Sequence, residues 1–74
     1  MHKVEITTEP VELYKILKFE GLVASGGEAK SVIDQGMVQV NGETEYRRRK
    51  KIVSGDIVVF GDVELNIQLA RQQG

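Results

Sequence analysis

The 74-residue chain reads as an α+β domain, two short N-terminal helices packed on a small, mostly antiparallel sheet. Two apolar stripes of helical spacing, each bounded by cap residues, precede residue 37. Beyond it, an Asn41-Gly42 hairpin signal and an alternating run over residues 63–69 carry the period of two that marks strands. Hydrophobic residues make up 41% of the chain and there is no cysteine, so one small apolar core must hold it together, without disulfides or thiolate-bound zinc. One domain is expected over residues 1–74, with its core at about 8–69 and a short loose tail from Ala70 to Gly74.

In chain order, Lys3 to Thr7 alternates with Val4 and Ile6 on one face, as a half-buried strand does. Thr8 as N-cap, Glu9 at the positive helix end and Pro10 in the first turn predict a helix of about ten residues, which Gly21 stops. Leu13, Ile16 and Leu17 form its buried face, with Glu12, Lys15 and Lys18 outward. Ser25 and Glu28 make a capping-box signature for a second helix, with Ala29, Val32 and Ile33 as its stripe and Gly36 as its C-terminal glycine. Val38 and Val40 then lead into the Asn41-Gly42 turn, from which Glu43 to Tyr46 returns as a partner strand. Ser54-Gly55-Asp56 is a turn before the apolar strand Ile57 to Phe60, and Gly61-Asp62 a turn before the strand carrying Val63, Leu65, Ile67 and Leu69 on one face.

Catalysis finds no foothold. The single histidine is His2, and the acids are not spaced as a metal site or a general acid/base pair. Glu43 and Glu45 share a strand face but read as solvated surface, and Gly26-Gly27 lies between helices rather than after a strand, where a phosphate loop would sit. The chain is therefore expected to be no enzyme and to need no cofactor or metal. Its longest apolar stretch is four residues, against about 20 for a bilayer span, and residues 1–9 carry no secretory apolar core of about 7 residues. A cytoplasmic location without a membrane partner is the expectation.

Net charge is −1, but the charges are unevenly placed: −4 over residues 1–46, +5 over residues 47–51 and −2 over residues 52–74. Arg47, Arg48, Arg49, Lys50 and Lys51 are adjacent positive charges that repel one another and await an anionic partner. A basic edge also blunts unwanted sheet pairing, but this run directly follows a hairpin that presents it, and arginine suits phosphate forks. Lys30 on the second helix and Lys18 at the end of the first extend the patch if the hairpin turns beside them, although Lys30 has Asp34 four residues on as an alternative partner. Tyr46 abuts the run, either to stack on a base or to pack on the core rim.

Leu13, Leu17, Gly21-Leu22, Ser25, Ala29-Lys30, Ile33, Gly36, Val38, Val40, Asn41-Gly42, Val53, Gly55-Asp56 and Val58, in this order, resemble the pattern of the S-four-type RNA-binding domain, also called the αL motif. The short chain is similar to its stand-alone bacterial, YbcJ-like, ribosome-associated members. The resemblance implies a non-catalytic module that grips structured RNA, ribosomal RNA or the ribosome and its assembly intermediates, with two helices and the following hairpin. By position it assigns RNA contacts to Lys18, Lys30 and the basic strand Arg47 to Lys51. Many family members carry an arginine directly after the serine that opens the second helix, where this chain has Gly26. Two other readings stand beside this one. In the first, the basic face docks on an acidic protein. The second is a ubiquitin-like sulfur carrier, disfavoured by the early helices and by an ending of Gln73-Gly74 in place of Gly-Gly. A monomer is the default expectation.

Overall fold

The structure is a computed structural model that describes residues 2–70. Its elements are β1 (His2–Ile6), β2 (Val11–Glu12), α1 (Leu13–Phe19), α2 (Gly26–Asp34), β3 (Val38–Val40), β4 (Glu43–Thr44), β5 (Lys51–Ile52), β6 (Ile57–Phe60) and β7 (Val63–Leu69). Five strands form one sheet in the order β1-β7-β6-β3-β4, antiparallel except where β1 runs parallel to β7; β2 and β5 pair separately. This is the α+β architecture expected, and Ile57 to Phe60 is its central strand. Residues 71–74, most of the expected tail, lie outside the described residues; Ala70 donates its N–H to the Ile6 carbonyl at 2.7 Å.

Strand alternation builds the core. Val58 lies opposite both Val40 and Leu65, so the three share one face of the sheet. They meet Leu13, Ile16 and Leu17 of α1 and Ala29 and Ile33 of α2 in one buried cluster. Val4 and Ile6 belong to it too, which extends the core N-terminally of the expected 8–69 span because β1 is paired to β7. Ile52, fully buried, brings the chain back to the core directly after the basic run.

The first helix is shorter than the cap signals predict. Thr8 and Pro10 do not open it: Val11 and Glu12 are held extended by pairing with Ile52 and Lys51, and α1 begins only at Leu13. Glu9 does not lie in a helical turn either, its carboxylate accepting the Ser54 N–H at 2.8 Å. The basic run is likewise no continuous strand. It forms a turn closed by the Lys50 N–H on the Arg47 carbonyl at 3.2 Å, and only Lys51 lies in a strand. The partner strand of the hairpin is also cut short at Thr44, after which Glu45 makes one more bond to Val38.

The second helix follows its signals. Ser25 Oγ accepts the Glu28 N–H at 3.1 Å, and Glu28 Oε1 in turn accepts the Ala24 N–H at 3.0 Å. It ends with the Gly36 N–H on the Ile33 carbonyl and the Met37 N–H on the Val32 carbonyl, the paired bonds of a Schellman motif, and α1 ends alike at Gly21. Both glycines have left-handed φ, +75° and +70°, but a Cβ on Gly36 would lie 3.1 Å from the Tyr46 ring while one on Gly21 would meet nothing within 4 Å. Alanine at either position should cost about 1–2 kcal/mol. Urea denaturation should put Gly36→Ala at the upper end, with the excess removed in a Tyr46→Ala background; equal losses would mean that the ring moves aside freely.

Candidate nucleic-acid interface

The backbone sets the position of the basic segment. At the start of α1 the Leu13 N–H bonds the Lys50 carbonyl at 2.9 Å and the Tyr14 N–H bonds the Arg48 carbonyl at 3.1 Å. Donors that an isolated helix leaves to side-chain caps or water are thus satisfied by residues 48 and 50, and Glu12, at the N-cap position, makes no side-chain cap bond. The Arg48 and Lys50 carbonyls thus point at α1, while Arg47, Arg48, Arg49 and Lys51 are exposed.

Each arginine of the run has a carboxylate. Arg47 makes a fork with Glu45, Nε to Oε2 at 2.9 Å and Nη2 to Oε1 at 3.2 Å. Arg48 makes another with Asp34 of α2, Nε to Oδ1 at 2.9 Å and Nη2 to Oδ2 at 2.7 Å. Arg49 Nε lies 3.7 Å from Glu12. Lys18 on α1, Lys50 and Lys51 make no ion pair among the described residues. Lys30 is half-buried on α2 with its ammonium 4.8 Å from the centre of the Tyr14 ring. Its possible partner Asp34 is occupied by Arg48 instead.

The fold therefore brings the run beside the N-terminus of α1 and the C-terminal half of α2, with Lys30 joined to it through Tyr14. Lys18 lies one helical turn beyond Tyr14 on α1. Tyr14 itself went unrecognised in the sequence, as did Lys15, which bonds Glu12 at 3.1 Å and lies 5.9 Å from the same ring. No local pattern marked the pairing, because Lys30 reaches the Tyr14 ring from the other helix. Tyr46 is 62% exposed and rests one side of its ring on Gly36, so it packs at the rim while keeping a face to solvent. A Cβ on Gly26 would lie 3.9 Å from the Tyr14 ring, an ordinary contact, so glycine is not sterically required there.

The match to known proteins covers most of the fold: a family model described as the S4 domain fits residues 4–68. The chain belongs to the S4 domain family. Relatives of this S4 domain include YbcJ of Escherichia coli, 50% identical over 50 residues that span 68% of this chain and 71% of that one. The solution structure of YbcJ, described as an αL motif involved in RNA binding, superposes with a TM-score of 0.71 over 92% of this chain and 87% of that one, at 39% identity. RlbA of Bacillus subtilis, whose name assigns it to ribosome maturation, is 38% identical over 55 residues, 74% of this chain and 78% of its own. The S4 domain also occurs within enzymes: the tyrosine–tRNA ligase of Bordetella pertussis is 37% identical over 59 residues, 80% of this chain but 14% of the ligase. Among the described residues no cluster of three or more acidic or histidine side chains is arranged to hold a metal ion, and no helix is long and apolar enough to cross a membrane.

The ion pairs carry a pH signature. The Lys15 hydrogen bond, with the charges of Lys15, Arg49 and Lys51, holds the Glu12 carboxyl below its ordinary value against an opposing desolvation; the Arg47 fork does the same for Glu45. Because both values fall on folding, the stability they contribute is complete above the ordinary carboxylate range and is lost as pH drops through the lowered values, below about 4. Melting temperatures recorded from pH 7 to pH 3 should fall more shallowly for a Glu12→Gln, Glu45→Gln variant than for the wild type. Parallel curves would assign the acid sensitivity to other groups.

Proposed function

We propose that this S4 domain is a non-catalytic module that docks on structured RNA, ribosomal RNA or a ribosome assembly intermediate, in the cytoplasm. Its contact face is formed by α2 and the segment that follows the Asn41-Gly42 hairpin. The observation that carries this reading is the rigid presentation of five consecutive cations, held by the Arg48 and Lys50 carbonyls on the α1 N-terminus, with Arg47, Arg48, Arg49 and Lys51 exposed. Arg47, Arg48, Arg49, Lys50 and Lys51 would meet phosphates, with Lys30 and Lys18 extending the track along the helices. The likeness to YbcJ and RlbA supports an RNA partner and a ribosomal setting. The open sheet face, by contrast, carries one ion pair, Lys3 with Glu5 at 3.4 Å, and Glu64, so the positive potential is one-sided.

Recognition would rest on shape and phosphates more than on base edges, as it does for double-stranded RNA. The carboxylates that hold the arginines in the free protein occupy the forks that phosphates would take, so binding exchanges one anion for another. Asp34 is the clearest case, being matched in two bonds to Arg48.

An electrophoretic or anisotropy titration with a ribosomal RNA hairpin tests the face. The wild type should bind with a log-log salt slope of roughly −4 to −5, as about six phosphate contacts require. A folded Arg47→Glu, Arg48→Glu, Arg49→Glu variant should lose binding, and a shallow slope or intact binding by that variant would sink the reading. In the same titration Asp34→Asn, which frees Arg48, should tighten binding a few-fold at low salt; weaker binding would show that the Asp34 fork instead organises the RNA-binding state.

A further inference from the structure

We propose that the exposed Phe19 ring, with Lys15 and Lys51 beside it, is a stacking site for one unpaired nucleobase of the bound RNA, an inference that rests on the RNA docking proposed above. Phe19 is the last residue of α1 and, at 72%, the most exposed large apolar side chain among the described residues. The ring lines two surface depressions that differ in charge. One, about 230 Å³, lies against β1 and counts Glu5 and Glu20 among its lining residues, Glu5 also pairing with Lys3 at 3.4 Å. The other, about 460 Å³, is formed with Thr8, Pro10 and Val11 and is lined by Lys15 and Lys51. Its one carboxylate, Glu12, is already engaged by Lys15 at 3.1 Å and by Arg49 at 3.7 Å.

A phosphodiester is repelled from the first depression and drawn to the second. The second is also continuous with the candidate interface, because Lys51 closes the basic run and pairs through its backbone with Glu12 at the foot of α1. A strand whose phosphates followed residues 47–51 would thus arrive at Phe19 with its next phosphate between two lysines. There the exposed aromatic face offers a nucleobase a partner that needs no particular hydrogen-bond pattern. A base in a continuous duplex has both faces covered by its neighbours, so the site selects a bulged, looped-out or terminal nucleotide next to helical RNA.

The test compares a blunt RNA duplex with the same duplex carrying one bulged 2-aminopurine, titrated with wild-type, Phe19→Ala and Phe19→Trp proteins whose circular dichroism melts agree. The wild type and Phe19→Trp should bind the bulged duplex on the order of ten-fold more tightly than the blunt one and change the 2-aminopurine emission. Phe19→Ala should bind both at the blunt-duplex affinity and leave the emission unaltered. A bulge preference that survives Phe19→Ala would overturn the stacking site, as would a Phe19→Ala variant weakened equally toward both duplexes. A wild type that binds both duplexes equally overturns the stacking site and leaves RNA docking intact, whereas a wild type that binds neither overturns both.

Discussion

Two backbone hydrogen bonds, from Leu13 and Tyr14 to the carbonyls of Lys50 and Arg48, fix the basic segment against the helices. Five adjacent cations should repel one another into an ensemble. Their main chain is instead the cap of a helix whose next residues, Ile16 and Leu17, are buried, so loosening the run would expose helix donors and disturb the core. The two-residue ladder between β2 and β5 and the burial of Ile52 fasten the same segment from its other end. Rigidity here reduces the ordering cost that a flexible basic loop would meet on binding an anion.

The side chains are handled differently from the backbone. Arg47 and Arg48 are matched in forks to Glu45 and Asp34, whereas Lys50 and Lys51 have no such partner among the described residues. Exposed pairs of this kind add little to stability, and salt weakens them. Their effect is geometric: each guanidinium is parked in a defined direction by an anion of the chain, and Arg48 links the run to α2. The free protein therefore carries a face whose arginines are partly offset by Glu45, Asp34 and Glu12, while its lysines keep it net positive.

Local signals were readable where one short stretch of sequence decides the structure. The Ser25 to Glu28 cap, both glycine-terminated helices and the Asn41-Gly42 turn needed nothing from elsewhere, and the alternation of Val4, Ile6, Leu65 and Ile67 marked the buried faces directly, although Leu69 at the end of the expected stripe is 40% exposed. The start of α1 was misread because Thr8, Glu9 and Pro10 are good helix openers, while residues some forty positions away dictate the backbone at Val11 and Glu12. The basic run was recognised as a candidate site by its charge and its place after the hairpin, but its conformation and its acidic partners depend on contacts that no window of sequence contains. Asn41 shows both sides: it was recognised as a turn residue, yet its side chain also donates to Asp56 and accepts from the Ile57 N–H, which ties the hairpin to the later Gly55-Asp56 turn. Phe19 ends the first helix, and its exposure could not be read from the pattern of that helix.

The parallel pairing of β1 with β7 joins positions sixty-three residues apart, His2 with Leu65 through Ile6 with Leu69. Closing a loop that long carries an entropic cost that the helices and the Asn41-Gly42 hairpin avoid, so these local units have the head start in folding. A ribosome makes β1 first and its partner last. During synthesis Val4 and Ile6 stay without their sheet neighbour until β7 has left the exit tunnel, and the domain completes its core only at that moment.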